Sequence, residues 1–89
     1  MEAKQVFYEG RVQGVGFRYA TKQVAMGFDV IGWVSNLPDG RVEMQVMGEA
    51  EELDEFLRDI RDSQMGGNIQ SEEVHEVSLL EGVKGFTIR

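Results

Sequence analysis

The sequence contains no cysteine and only one proline among its 89 residues. Without cysteine the chain has no disulfide, no thiolate metal ligand and no thiol nucleophile. A domain of this size must therefore be held together by packing and hydrogen bonds alone. Because 42% of the residues are hydrophobic, we predict a single small core in one domain that spans residues 1–89.

Positive charge is scarce, and long hydrophobic runs are absent. Nine Lys and Arg residues stand against 16 Asp and Glu, a formal net charge of −7. Nucleic acids and anionic membranes favour clustered Lys and Arg, so neither is an expected partner. Apolar stretches such as Val30–Val34 are far shorter than the ~20 residues of a membrane span. The start Met1-Glu2 does not resemble a secretory signal. We predict a cytoplasmic monomer that binds a small anion.

Hydrophobic periodicity predicts seven elements. Strands are indicated by β-branched or alternating runs, and helices by apolar residues three or four positions apart. The predicted order is strand 4–12, helix from Phe17 to about Gly27, strand Val30–Val34, strand 41–46, helix 49–61, strand 73–80 and strand 86–88. This order is typical of a ferredoxin-like α+β domain, the split βαβ arrangement, in which an antiparallel sheet carries two helices on one face.

Each predicted helix has an apolar stripe. In the first helix the stripe is Phe17, Ala20, Val24 and Phe28, with Thr21 on the polar side. In the second helix it is Ala50, Leu53, Phe56, Leu57 and Ile60. We expect both stripes to face the sheet, because burial of an apolar stripe is the main source of stability for short helices.

The glycine-rich stretch Gly10–Arg18 leads from the first strand into the first helix. Glycines allow tight turns that point backbone N–H groups inward, and the helix N-terminus adds partial positive charge. Arg18 can bind two oxygens of a phosphate or carboxylate. No Gly-Lys-Ser/Thr completes a Walker A loop, and Tyr19 occupies the third-glycine position of a dinucleotide fingerprint. Spacing alone supports an anion-binding loop and an ordinary turn with a surface arginine about equally.

Asn36 lies at the end of the second predicted strand, two residues past the apolar run Val30–Val34 and just before the turn at residues 37–40. Asparagine is common in turns, and the pattern alone favours that interpretation. If the second strand lies beside the first, however, the Asn36 amide approaches the glycine-rich loop. The pattern leaves both roles open.

His75 and the acidic run 49–55 are weaker candidates for a site. His75 is the single histidine, and it lacks the second ligand or nucleophile that zinc or triad chemistry requires. The acidic residues lie at the start of a predicted helix, where they match the helix dipole. We therefore expect a surface histidine, a solvated helix face and no metal site.

Two stretches resemble the signatures of the acylphosphatase family. The first is Val12-Gln13-Gly14-Val15-Gly16-Phe17-Arg18, and the second is Gly32-Trp33-Val34-Ser35-Asn36 followed by Gly40, Val42 and Gly48. The ending Gly85–Arg89 is also similar to that of the family, so the resemblance covers essentially the whole chain. Ser35 departs from the basic or longer residue that relatives more often carry, which bears on substrate preference.

The resemblance implies a hydrolase that converts small acyl phosphates to a carboxylate and inorganic phosphate, without metal or cofactor. By motif position, the family's phosphate cradle corresponds to Gln13, Gly14, Val15, Gly16, Phe17 and Arg18. Arg18 corresponds to the substrate-binding arginine and Asn36 to the catalytic asparagine. The carboxylate leaving group has a conjugate acid of pKa about 4, so it needs little help from a general acid. Asn36 cannot act as a base, and its expected role is to orient the attacking water.

Two alternatives stay open. One is a non-catalytic or accessory anion-binding module, because domains of this family also occur inside larger proteins that handle carbamoyl phosphate in hydrogenase maturation. The other is RNA binding, since RNA-recognition motifs share the predicted topology. The third strand offers no stacking aromatic side chain, and the net charge is negative, so the sequence disfavours RNA.

Overall fold

The computed structural model describes all residues from Met1 to Arg89. It contains five strands, two α-helices and a short 3₁₀ turn at Gly66–Asn68. The elements are β1 (Glu2–Gly10), α1 (Phe17–Ala25), β2 (Val30–Asn36), β3 (Val42–Gly48), α2 (Ala50–Asp62), β4 (Ile69–Val77) and β5 (Phe86–Ile88). The predicted number, type and order of the elements are confirmed.

The five strands form one sheet in the order β4-β1-β3-β2-β5. The pairs among β1, β2, β3 and β4 are antiparallel, whereas β5 pairs parallel with β2. The predicted ferredoxin-like α+β class is confirmed, with the refinement that the sheet is mixed rather than wholly antiparallel. The reason is topological. The chain reverses direction after β4 and crosses to the opposite edge of the sheet, where its only free neighbour runs the same way.

β3 lies between β1 and β2, so the first and second strands are not direct neighbours. Because β1 and β2 are each antiparallel to β3, they run parallel to one another. Their C-terminal ends, at Gly10 and Asn36, therefore lie at the same edge of the sheet. This arrangement, and not direct pairing, brings the two predicted site segments together.

β1 and β4 are shifted from their predicted bounds, and a bulge lies where the two strands pair at the end of β1. The register of β1 against β4 changes between Glu9 and Gly10, and Gly10 has a φ of 127°. A Cβ at Gly10 would collide with the main-chain oxygen of Asn68. β1 therefore ends at Gly10 instead of residue 12. β4 pairs with residues 3–10 of β1, starts at Ile69, four residues earlier than predicted, and ends at Val77 instead of residue 80.

The core lies between one face of the sheet and the two helices. The α2 stripe is confirmed at its four large residues, which are all buried: Leu53, Phe56, Leu57 and Ile60. Ala50, the fifth predicted member of the stripe, is exposed. In α1 the buried residues are Phe17, Thr21 and Ala25. Thr21 faces the core because its Oγ1 donates to the Phe17 carbonyl at 2.9 Å, which removes the cost of burying a free hydroxyl. Neither helix combines the length and hydrophobicity needed to cross a lipid bilayer.

Candidate active site

The loop between β1 and α1 presents unused backbone donors. Gly14 and Gly16 have φ values of 74° and 81°, a region that glycine adopts at little cost. Gly16 is the N-cap of α1, with no side-chain capping bond and no acidic residue in the first turn. The N–H groups of Phe17, Arg18 and Tyr19 donate to no protein acceptor. A helix N-terminus in this state favours an anion.

A depression of about 140 Å³ lies at this helix start. It is lined by Val12, Gly14, Gly16, Phe17, Arg18, Tyr19, Asn36 and Ile88. A depression of this size admits a phosphate-sized group. No Asp or Glu side chain lines it, so no side-chain charge at its surface repels an anion.

Arg18 supplies the positive charge of the depression. One of its guanidinium nitrogens, Nη1, donates to the main-chain oxygen of Arg89 at 2.8 Å, and no Asp or Glu side chain lies within ion-pair distance of Arg18. A guanidinium has five N–H donors, so most of them remain free. The Arg89 guanidinium lies over the Trp33 ring at 4.4 Å, and the main-chain N–H of Arg89 donates to the Val34 carbonyl at 2.8 Å. Arg89 is held by these contacts, and its main-chain oxygen therefore orients Arg18.

Asn36 faces the same depression from the sheet. It pairs with Val42, which in turn pairs with the buried Tyr8, and paired residues share one face of a sheet. The Asn36 side chain thus lies on the helix-covered face, at the edge where α1 begins. Its amide makes no hydrogen bond to any protein group, and Oδ1 is shielded from solvent without a partner. The structure places Asn36 and Arg18 in one site.

Gln13 connects the two segments that form the site. Its Nε2 donates to the Leu37 carbonyl at 2.7 Å and to the Arg41 carbonyl at 2.9 Å. These bonds fasten the glycine-rich loop to the turn that follows Asn36. Of the six residues predicted for the phosphate cradle, Gly14, Gly16, Phe17 and Arg18 line the depression, whereas Gln13 and Val15 do not.

Phe17 anchors the start of α1 in the core. Its ring packs on Tyr8 with a centroid distance of 5.1 Å. Burial, and secondly the Glu72 carboxylate, raise the pKa of Tyr8 well above its ordinary value, so the phenol stays neutral. Although the Glu72 carboxylate raises its pKa, the Tyr8 hydroxyl has no hydrogen-bond partner of good geometry. The packed rings of Tyr8 and Phe17 are therefore uncharged, and they support the start of α1 from the core.

Sequence reasoning missed four contributors to the site. Tyr19 and Ile88 are large side chains at the rim, 63% and 40% exposed, and the buried Val12 also lines the depression. The fourth is the main-chain oxygen of Arg89, which no residue type could predict. A distant chain segment brings Ile88 to the site, and only the parallel pairing of β5 with β2 puts it there.

His75 and the acidic run lie away from this depression. His75 is exposed on β4 and pairs with Glu73, with Nε2 and Oε2 2.7 Å apart. Glu51 and Glu52 lie in the first turn of α2, where they match the helix dipole. Both predictions of surface roles are confirmed.

Fold and site together define a small ferredoxin-like α+β domain in which Arg18 and Asn36 lie beside the uncapped start of a helix. A model of the acylphosphatase family matches residues 4–88 of the chain. The chain is 42% identical over 85 residues to an acylphosphatase of Rubrobacter xylanophilus, covering 96% of this chain and 77% of that protein. This chain belongs to the acylphosphatase family and is a hydrolase of acyl phosphates, whose product is inorganic phosphate.

Solved structures agree with this assignment. The crystal structure of acylphosphatase from Bacillus subtilis superposes with a TM-score of 0.90 at 35% identity, covering 100% of this chain and 99% of that one. A structure of full-length HypF in its phosphate- and nucleotide-bound form matches with a TM-score of 0.84 at 28% identity. That match covers 99% of this chain and 12% of HypF. The same domain therefore also occurs as a small part of a much larger protein.

Proposed function

We propose that this protein hydrolyses small acyl phosphates without a metal ion, through Arg18, Asn36 and the loop of residues 13–18. One observation carries the proposal. A guanidinium with most of its donors unused, an amide without a protein partner and three free helix N–H groups surround one phosphate-sized depression. Each of these groups is neutral or positive, so together they suit a phosphoryl group whose negative charge must be neutralised.

The reaction requires no acid at the leaving group. Water oxygen forms a bond to phosphorus, and the phosphorus–oxygen bond to the acyl group breaks with its electron pair leaving on the carboxylate. The water proton passes to a phosphoryl oxygen. A carboxylate is a good leaving group because its conjugate acid has a pKa of about 4. This suits a depression whose lining contains no carboxyl, imidazole, thiol or amine side chain.

The side chains divide the remaining tasks. Arg18 and the N–H groups at the start of α1 bind the phosphoryl oxygens and stabilise their charge in the transition state. Asn36 orients the attacking water, because an amide stays neutral and can donate and accept hydrogen bonds. None of these steps needs a metal ion. Gln13 acts through the turn at Leu37 and positions Asn36.

Steady-state kinetics with benzoyl phosphate in excess chelator test the proposal. We expect wild-type turnover to persist in chelator. Asn36→Ala should lower kcat by about 10²- to 10³-fold, the loss seen when one transition-state hydrogen bond is removed, with little change in KM. Arg18→Ala should lower kcat and also weaken inhibition by inorganic phosphate. The exposed residues Gln70 and Arg58, each changed to Ala, serve as matched controls.

Two results would contradict the proposal. Turnover that disappears in chelator would overturn the metal-free mechanism. Asn36→Ala activity within about twofold of wild type would remove Asn36 from the reaction.

The sequence alone left open a non-catalytic anion-binding module, and membership of a hydrolase family disfavours it. Calorimetric titration with inorganic phosphate beside the kinetic assay tests the role of Arg18 in binding directly. Loss of phosphate binding in Arg18→Ala is the expected result.

We also propose that the protein acts as a monomer without a nucleic acid partner. The reaction proposed above uses groups of one chain only, and the net charge of −7 disfavours polyanions. Light scattering should give the mass of a single chain. A dimer, or retention of a short RNA at low salt, would contradict this.

A further inference from the structure

A second depression shares one lining residue, Tyr19, with the phosphate-sized one. It has a volume of about 310 Å³, its surface is largely apolar, and it is lined by Tyr19, Ala20, Gln23, Ser63, Gln64 and Met65. Because Tyr19 is exposed and belongs to both linings, a molecule whose phosphoryl group occupies the first depression has a route along this residue to the second.

The walls of the second depression are suited to an apolar group. Met65 packs against the hydrophobic core from a half-buried position, and its flexible thioether adapts to different shapes. The Ser63 hydroxyl is already engaged, since it donates to the Ile60 carbonyl at 2.7 Å. Ala20 contributes only a methyl group. No charged residue lines this depression.

The direction of the reaction points to the same depression. α1 turns 100° per residue, and Phe17 and Thr21 face the sheet, so Tyr19 lies on the opposite side of the helix. Asn36 approaches from the sheet. In-line displacement places the attacking and leaving oxygens on opposite sides of phosphorus. Water held by Asn36 therefore directs the leaving acyl group toward Tyr19.

We infer that the second depression is the acyl-binding part of the site, and that this protein prefers acyl phosphates with an extended apolar chain or ring. The inference rests on the proposed function and specifies its substrate class. Tyr19, Ala20 and Met65 are its specificity-determining residues.

The test compares acetyl phosphate with hexanoyl phosphate, which has four more methylene groups. Full burial of one methylene strengthens binding about fourfold. A half-covered chain should gain about twofold per methylene, or roughly 15-fold in kcat/KM for hexanoyl over acetyl phosphate. Ala20→Met fills the second depression and should reduce this ratio to about threefold or less. Ala50→Met is the matched control, because Ala50 is an exposed helix residue outside the site, and it should leave the ratio unchanged.

Each outcome discriminates. A wild-type ratio within twofold of unity, with both substrates hydrolysed, overturns the acyl-binding inference and leaves the proposed function intact. An Ala20→Met variant that keeps the wild-type ratio overturns it as well. Hydrolysis of neither substrate by folded wild-type protein overturns the proposed function and the inference with it.

Discussion

Removal of the Gln13 side-chain amide should weaken both the fold and catalysis. In Gln13→Met the side chain keeps its length and loses its bonds to the carbonyls of Leu37 and Arg41. Both carbonyls keep another donor, from Gly40 at 3.2 Å and from the Leu37 N–H at 2.8 Å. No acceptor is therefore left unpaired, and the loss is about 1 kcal/mol per bond, or about 2 kcal/mol in the free energy of unfolding. In a domain of this size that lowers Tm by roughly 10 °C.

The catalytic effect of Gln13→Met should differ from its effect on phosphate binding. Arg18 and the start of α1 stay in place without Gln13, so the inhibition constant of inorganic phosphate should change less than threefold. The turn after Asn36 loses its tie to the loop, and a displacement of about 1 Å can cost 10²-fold in rate. We expect kcat to fall by tenfold or more.

Thermal melts and steady-state kinetics with benzoyl phosphate measure both effects, with kinetics recorded well below the Tm of the variant. Gln70→Met is the matched control, because Gln70 is exposed and its side chain makes no hydrogen bond. The reasoning is refuted if Gln13→Met melts within about 2 °C of wild type. It is equally refuted if kcat and phosphate inhibition fall by the same factor.

Three further predictions concern the backbone and the turn beside the site. Gly16→Ala should cost about 1–2 kcal/mol from its positive φ alone, seen as a lower Tm, whereas Gly67→Ala, at an open position of ordinary φ, should melt like wild type. Asp39→Asn should destabilise the protein above about pH 4 and have little effect in acid, because hydrogen bonds from Arg41 lower the pKa of Asp39 from 3.8. That contribution is present above the unfolded pKa and is lost as pH falls through the folded value; urea melts at pH 7 and pH 3 test it. Gly32→Ala should fail to yield soluble folded protein, since its Cβ would overlap a main-chain oxygen of the adjacent strand.

The local parts of the fold could be predicted from the sequence. The α2 stripe repeats at helical spacing, and the glycines at 14 and 16 predict a backbone that turns tightly before Arg18. The signature around Asn36 indicates the family of the chain from the sequence alone. These features depend on residues close together in the chain, where spacing carries the information.

The remaining features depend on which distant segments meet. Gln13 contacts residues 24 and 28 positions away, and Arg18 contacts a residue 71 positions away. Thr21 is polar, so the pattern predicts a position outside the core, yet its hydrogen bond to the preceding turn allows burial. In the sequence, Tyr19 stands out only because it occupies the third-glycine position of a dinucleotide fingerprint. Its role at the boundary of two depressions depends on residues 63–65, which no periodicity relates to α1.

The uncapped start of α1 makes the ligand part of the fold. Relative to glycine, a side-chain cap contributes about a few tenths of a kcal/mol to a helix, and Gly16 makes no such bond. In the proposed function a bound phosphate accepts hydrogen bonds from the N–H groups of the first turn instead, so folding and binding are linked equilibria. At a hundred times its dissociation constant, such a ligand stabilises the native state by about 2.7 kcal/mol. The stability of the folded protein then rises with the concentration of the phosphate compounds that it binds, and a side chain that capped the helix would occupy the position of the substrate.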